Sequence, residues 1–491
     1  MVGNVRWERA FVSDELSLRQ ILERTARKIN EGDSDITATY QFVVERPDGR
    51  DVHRLVIVDG ECELLPDEGE ATSTVVVSQE DAPLIFSGRF DSMKAFMEGR
   101  MRIEGDLMAM SVLSSFMSLS ESSAAVASQP QSLGFLSPLD SPSLAGWEAR
   151  LADRLTMPQS LREVAQVRDF YIGAAISAPT GPHAELVSRE FNGIGAENAF
   201  KWNRLAKFVG DYDFTLTDAF AEYAERHDMR LRGHALVWGR GGRPHNLEST
   251  LRASSDQRKT LLRLMREHIS TVAARYRGKV AVWDVVNEPM AYSGTGLDKN
   301  VFFETLGEEY VVESFRLARA ADPEAELVLN EQISWNEYDG RSASEFVDFV
   351  RRLLDVETPI DGIGLQGHML MGTPDPVALD RFLRRIEDLG LFIEITEMDM
   401  RIGLFADEQD PLGAQADSYN MLAEVFAAVP AVRGVMFWGA ADSHTWLDSF
   451  PPFDAASPNQ PLLFDRDLKP KPAYYAFMAG LASRQPIGAT P

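Results

Sequence analysis

Two glutamates, Glu288 and Glu397, stand where carboxylates can do chemistry. Each ends an apolar run: VAVWDVVNEPM covers Val280 to Met290, and LFIEITEMDM covers Leu391 to Met400. Such runs read as buried parallel strands whose carboxyl ends open into a site. Asn287 precedes Glu288, and Asp399 follows two residues after Glu397, so an amide and a third carboxylate lie close by. His234 and His368 lack the close local spacing of a zinc motif, so no metal and no cofactor are expected. A Ser/His/Asp relay needs a serine on a strained elbow, and the sequence contains no G-x-S-x-G. Paired carboxylates with aromatic and amide neighbours remain. They suit glycoside cleavage, where rings stack on sugar faces and amides bond hydroxyls.

The elements that would hold these groups form a series. Candidate strands are YIGAAI from Tyr171, FNGIGAEN from Phe191, LRGHALVW from Leu231 and VAVWDVVNE from Val280. ELVLNEQ from Glu326, DGIGLQGHM from Asp361, LFIEITEMDM from Leu391 and VRGVMFWGA from Val432 follow. Helical segments such as LLRLMREHISTVAARY and LDRFLRRIEDLG separate most of them. Eight strand–helix units predict an α/β class (β/α)8 TIM barrel over residues 147–491. A doubly wound sheet competes, but no Gly-rich phosphate turn follows the first strand. The polar residues gather at one end of the strands: Glu197 and Asn198, His234 and Trp238, Asn287 and Glu288. Asn330 and Glu331, Gln366 and His368, Glu397 and Asp399, and Trp438 continue the pattern. In a barrel these ends converge on the mouth where active sites of the fold lie.

Ahead of the barrel, residues 1–119 read as a separate α+β domain. SLRQILERTARKIN (Ser17 to Asn30) has helical spacing, whereas Ile36 to Arg46, Asp51 to Pro66 and Ser73 to Ser78 read as antiparallel strands. A short helix is expected around Ser92 to Gly99, and an apolar one from Leu107 to Leu119. Residues 120–146, rich in Ser, Ala and Pro, read as a linker. Acidic residues outnumber basic ones by 75 to 49, a balance that repels phosphate backbones and anionic membranes, so nucleic acid is not expected as a partner. No stretch is long and apolar enough for a membrane span. The single cysteine, Cys62, and an amino terminus that does not read as a secretory signal lead to the expectation of a cytoplasmic protein.

Residues from about 155 to 480 resemble glycoside hydrolase family 10, the xylanase-type β/α barrels. The phrases ENAFKW, RGHALVW, WDVVNE, GIGLQGH, ITEMD, WGAADSHTW and PLLFDRDLKPKPAY occur in the family's order. The resemblance implies that Glu288 is the acid/base and Glu397 the nucleophile of a retaining double displacement. It implies that Asn287 bonds the sugar 2-hydroxyl and that His368, held by Asp399, bonds the nucleophile. Glu197, Asn198, Lys201, Trp202, His234, Trp238, Gln366, Trp438 and Trp446 would form glycone subsites. For any one tryptophan, core packing accounts for the residue as well as stacking does. The chain departs from the family in three places. GRGGRPHNL follows Trp238, so Gly239 and Gly241 stand where histidine and glutamine are usual; Gln332 and Ile333 replace a tyrosine and asparagine; Leu447 replaces an arginine.

Residues 15 to 120 resemble the sterol carrier protein type 2 family, on SQEDAPLIFSG, AFMEGRMRIEGD and the Met-rich helix after them. That family holds a lipid in an apolar tunnel, which here would be lined by Leu107, Met108, Met110, Leu113, Phe116 and Met117. The same side chains read equally as the closure of a small core. The two resemblances together imply a small glycoside with a hydrophobic, sterol- or triterpenoid-like aglycone, presented by the first domain. The alternative is an endo-β-1,4-xylanase or xylo-oligosaccharide hydrolase with a passenger domain. A non-catalytic lipid-binding protein would require loss of a catalytic glutamate, and both are present.

Overall fold

The structure is a computed structural model that describes residues 18–31, 38–46, 49–58, 61–69, 71–82, 101–105, 160–291, 296–334, 336–370, 372–405, 408–449 and 459–484. The expected linker, the helices around 92–99 and 107–119, and the six candidate tunnel residues lie outside the described residues. The described residues form two sheets, in separate compact units.

In the first unit, helix α1 (Leu18–Glu31) turns Leu22, Ala26 and Ile29 onto a five-stranded sheet. These positions recur every three to four residues, so one face of the helix is buried. The strands are β1 (Ala38–Arg46), β2 (Gly49–Val58), β3 (Glu61–Leu65), β4 (Ser73–Ser78) and β5 (Met101–Gly105), in the order β3-β2-β1-β4-β5. Asn30 fixes the end of α1 to β3, donating to the Cys62 carbonyl at 3.0 Å and accepting from the Cys62 N–H at 2.6 Å.

Three sequence expectations change here. The Asp51–Pro66 stretch is two strands, β2 and β3, paired antiparallel. The sheet is mixed, because β1 and β4 run parallel with Phe42 opposite Val75. Strand β5 was not expected, since Arg102 and Glu104 alternate with so few apolar residues that periodicity gives little signal.

In the second unit all eight expected barrel strands form. They are β6 (Tyr171–Ile176), β7 (Gly193–Ala196), β8 (Arg230–Trp238), β9 (Val280–Asn287), β10 (Glu326–Glu331), β11 (Gly362–Leu365), β13 (Phe392–Met400) and β14 (Val432–Phe437). A two-residue strand, β12 (His368–Met369), pairs with the end of β13, placing His368 opposite Asp399. The eight pair in parallel, and β14 closes on β6 with Gly434 opposite Tyr171. Buried on both sides, they are apolar runs rather than alternating ones.

The flanking helices show why each forms where it does. The helix Pro376–Glu387 starts at Asp375, whose carboxylate accepts the Ala378 N–H at 2.8 Å, with Pro in its first turn. It buries Leu379, Phe382, Leu383 and Ile386. On the outer face of the sheet, where Trp283 packs on Phe200 and Tyr276, a bulky side chain lies over a glycine of the neighbouring strand: a Cβ on Gly233 would overlap the Trp283 indole. No helix among the described residues is long and apolar enough to cross a membrane.

Candidate active site

The carboxyl ends of the strands bring the expected groups together. Glu397, near the end of β13, is 5% exposed. One of its oxygens accepts from the Asn330 amide at 2.8 Å, and the other lies 3.3 Å from His368 Nε2. The other ring nitrogen of His368 is 2.9 Å from Asp399, which is fully buried. His234 Nδ1 is 3.9 Å from Glu397 and 2.9 Å from Asp284. Its peptide bond to Ala235 is cis.

Burial alone would raise the Glu397 pKa; His234, His368 and Lys201 outweigh it and bring the carboxyl down to about 2. For His368 burial opposes the cation, but Asp399 and then Glu397 prevail and raise it to about 10. Glu397 is therefore a carboxylate, and His368 an imidazolium, throughout the neutral range.

Glu288 follows directly after β9, with φ of +52°, the left-handed region that non-glycine residues rarely adopt. Its N–H donates to the Asn330 carbonyl at 2.9 Å. Its side chain accepts from Gln366 Nε2 at 2.7 Å and from Trp238 Nε1 at 2.9 Å, and an Arg240 guanidinium nitrogen is 3.3 Å away. Asn330 thus touches both halves of the site. Its amide nitrogen donates to Asn287 Oδ1 at 2.8 Å as well as to Glu397, and its oxygen accepts from Thr396 at 2.7 Å. With Asn287 Oδ1 taken, the NH2 of Asn287 is the group left to meet a substrate hydroxyl.

Lys201 Nζ donates to Asn198 at 2.9 Å and sits 4.6 Å from the centre of the Trp238 ring. Burial lowers its pKa, against the pull of Glu397, Glu288 and Glu197. Trp438 meets His234 edge-on at 5.2 Å. Glu197 accepts from Ser177 at 3.2 Å, and the Ser177 hydroxyl is 2.7 Å from His444. Burial raises the Glu197 pKa while His444, Ser177 and Lys201 pull it back. Trp446 is half-buried on the short turn Trp446–Ser449.

Trp202 is a correction. It is 2% exposed, with its ring stacked on His268 at 4.0 Å, so it packs in the core behind Lys201 and offers no face to a sugar.

Sequence reading missed the tethering role of Asn330, the pairing of Asp284 and the reach of Arg240. Asp284 was detectable: a carboxylate inside an apolar strand requires buried partners, here His234 and Arg232. Arg240 left no such signal, because an arginine among glycines reads as part of a solvated loop.

Comparison with known proteins agrees with this geometry. Residues 160–480 match glycosyl hydrolase family 10, and residues 18–118 match the SCP-2 sterol transfer family. The chain is 33% identical over 324 residues to endo-1,4-beta-xylanase B of Thermotoga neapolitana, covering 64% of this chain and 90% of that one. It is 34% identical over 337 residues to an endo-1,4-beta-xylanase of Geobacillus stearothermophilus, covering 64% and 97%. Among solved structures, native xylanase 10B of Thermotoga maritima superposes with a TM-score of 0.60 at 34% identity, covering 66% of this chain and 98% of that one. Xylanase 10B of Thermotoga petrophila, in complex with xylobiose, gives a TM-score of 0.60 at 34% identity, covering 67% and 99%. By this match across most of its length, the chain belongs to glycosyl hydrolase family 10 and is a retaining glycoside hydrolase of the endo-1,4-β-xylanase-like type, carrying an SCP-2 domain ahead of its barrel.

Proposed function

We propose that the barrel cleaves β-1,4-xylosidic bonds in short xylo-oligosaccharides by double displacement, with Glu397 as nucleophile and Glu288 as acid/base. The observation that carries the assignment is the contrast between the two carboxylates. Glu397 is held ionised between His368, Asn330 and His234, whereas Glu288 is held by the neutral donors Trp238 and Gln366 beside one arginine.

In the first step Glu397 attacks the anomeric carbon and the glycosidic C–O bond breaks as Glu288 protonates the departing oxygen. In the second, water attacks the anomeric carbon, Glu288 takes its proton, and the ester bond to Glu397 breaks, restoring both carboxyl groups. Asn287 holds the 2-hydroxyl, and Lys201, Asn198, Glu197, His234 and Trp438 surround the glycone.

The sugar is inferred from the relatives, whose printed names are those of xylanases. The lipophilic aglycone read from the sequence has the SCP-2 match in its favour and becomes the second reading. Purified full-length protein offered xylo-oligosaccharides, aryl xylosides and sterol glycosides side by side decides between them. Turnover of xylo-oligosaccharides is expected. Turnover confined to sterol glycosides would overturn the first reading in favour of the second.

A further inference from the structure

The loop after β8 is one of the three places where the sequence departs from its family's pattern, and it does more than lose side chains. Gly239 and Gly241 flank Arg240. A Cβ on Gly239 would overlap the side chain of Asn300, and one on Gly241 would lie 2.8 Å from the Trp238 ring. Glycine on both sides lets the loop fold tightly enough to send Arg240 inward, where its side chain is 9% exposed.

There Arg240 holds the acid/base at two points. One guanidinium nitrogen lies 3.3 Å from the Glu288 carboxylate; another donates to the Met290 carbonyl, two residues further along the chain. The Met290 N–H in turn donates to Glu331 at 2.8 Å, and Glu331 also accepts from the Gln332 N–H at 2.8 Å. Glu288, in its left-handed conformation, is thus gripped by side chain and by following backbone.

We infer that Arg240 is a positioning residue for the acid/base: anchored on the Met290 carbonyl, its guanidinium clamps the Glu288 side chain in the place from which it protonates the leaving group. The inference rests on the role of Glu288 proposed above.

Trp238 and Gln366 also bond the Glu288 carboxylate but are neutral, and Asp298, 3.8 Å from Arg240, helps hold the guanidinium in place.

The test compares full-length Arg240→Met and Arg240→Lys with wild type on two aryl β-xylosides, one with a poor and one with an activated leaving group. Arg240→Met lowers kcat/KM on the poor leaving group by roughly tenfold or more and on the activated one by far less, because only the former needs the acid held in place. Arg240→Lys recovers part of the loss. Equal losses on both substrates, or no loss on either, overturn the inference. Failure of the wild type on xylosides would count against the proposed sugar alone, because the same leaving-group comparison runs on whichever aryl glycoside it accepts.

Discussion

His368 stands between two carboxylates, 3.3 Å from Glu397 on one ring nitrogen and 2.9 Å from Asp399 on the other. Asp399 touches no reacting atom; it keeps the imidazole charged, and the charged imidazole keeps Glu397 ionised.

Asp399→Asn should therefore move the acid limb of kcat/KM upward by about one unit, since His368 loses its main anion and Glu397 then loses part of its cationic support. The pH–rate profile on an aryl xyloside reads this directly. An acid limb identical to wild type would refute the relay. The same pair affects stability. Glu397, depressed from 4.5 to about 2, stabilises the fold above 4.5 and loses that contribution as pH falls toward 2. His368, raised from 6.5 to about 10, stabilises below 6.5 and loses its contribution as pH rises through 10.

The two glutamates should separate by leaving group. Glu288→Ala should slow a xyloside with a poor leaving group by roughly 10²–10⁴-fold, the range for general acid catalysis, and spare the bond-breaking step of a dinitrophenyl xyloside far more. Glu397→Ala should abolish both. Steady-state and burst kinetics on the two substrates check the split; equal losses in Glu288→Ala would remove it from the acid role.

Lys471 and Asp442 form a buried pair at 2.9 Å, with Asp442 also accepting the Leu462 N–H and Lys471 donating to the Gln460 carbonyl. Burial raises Asp442, and Lys471 holds it to about 6. Lys471→Met should destabilise the barrel by about 3–5 kcal/mol by stranding a buried carboxylate. Adding Asp442→Asn should recover part of the loss. Denaturant unfolding measures both, and a cost below about 1 kcal/mol in the single variant would mean the pair is not as buried as described.

What the sequence disclosed followed from how strongly each feature is written into local pattern. Eight parallel strands buried on both faces leave apolar runs, and the barrel could be counted from them. The proposed catalytic acids, Glu288 and Glu397, end those runs and were legible with them. Strand β5 was not, because a short strand carrying alternating charges resembles a loop. Parallel pairing of β1 with β4 was hidden for a different reason: strand direction is decided by long-range packing rather than by residue type. Trp202 was misplaced because a ring one residue from Lys201 in sequence can point the opposite way in space. Asn330 was seen at a strand end, but its hold on both Asn287 and Glu397 exists only once β9, β10 and β13 are side by side.

Trp283 overlying Gly233 has a consequence for how this barrel can diversify. Gly233 is followed immediately by His234, and Trp283 immediately precedes Asp284, the partner of that histidine. Any side chain added at Gly233 would displace the indole and, with it, the strands that carry the pair. Change is thereby accommodated more readily in the connecting segments at the rim, such as the Gly-Arg-Gly loop after Trp238, than in the staves.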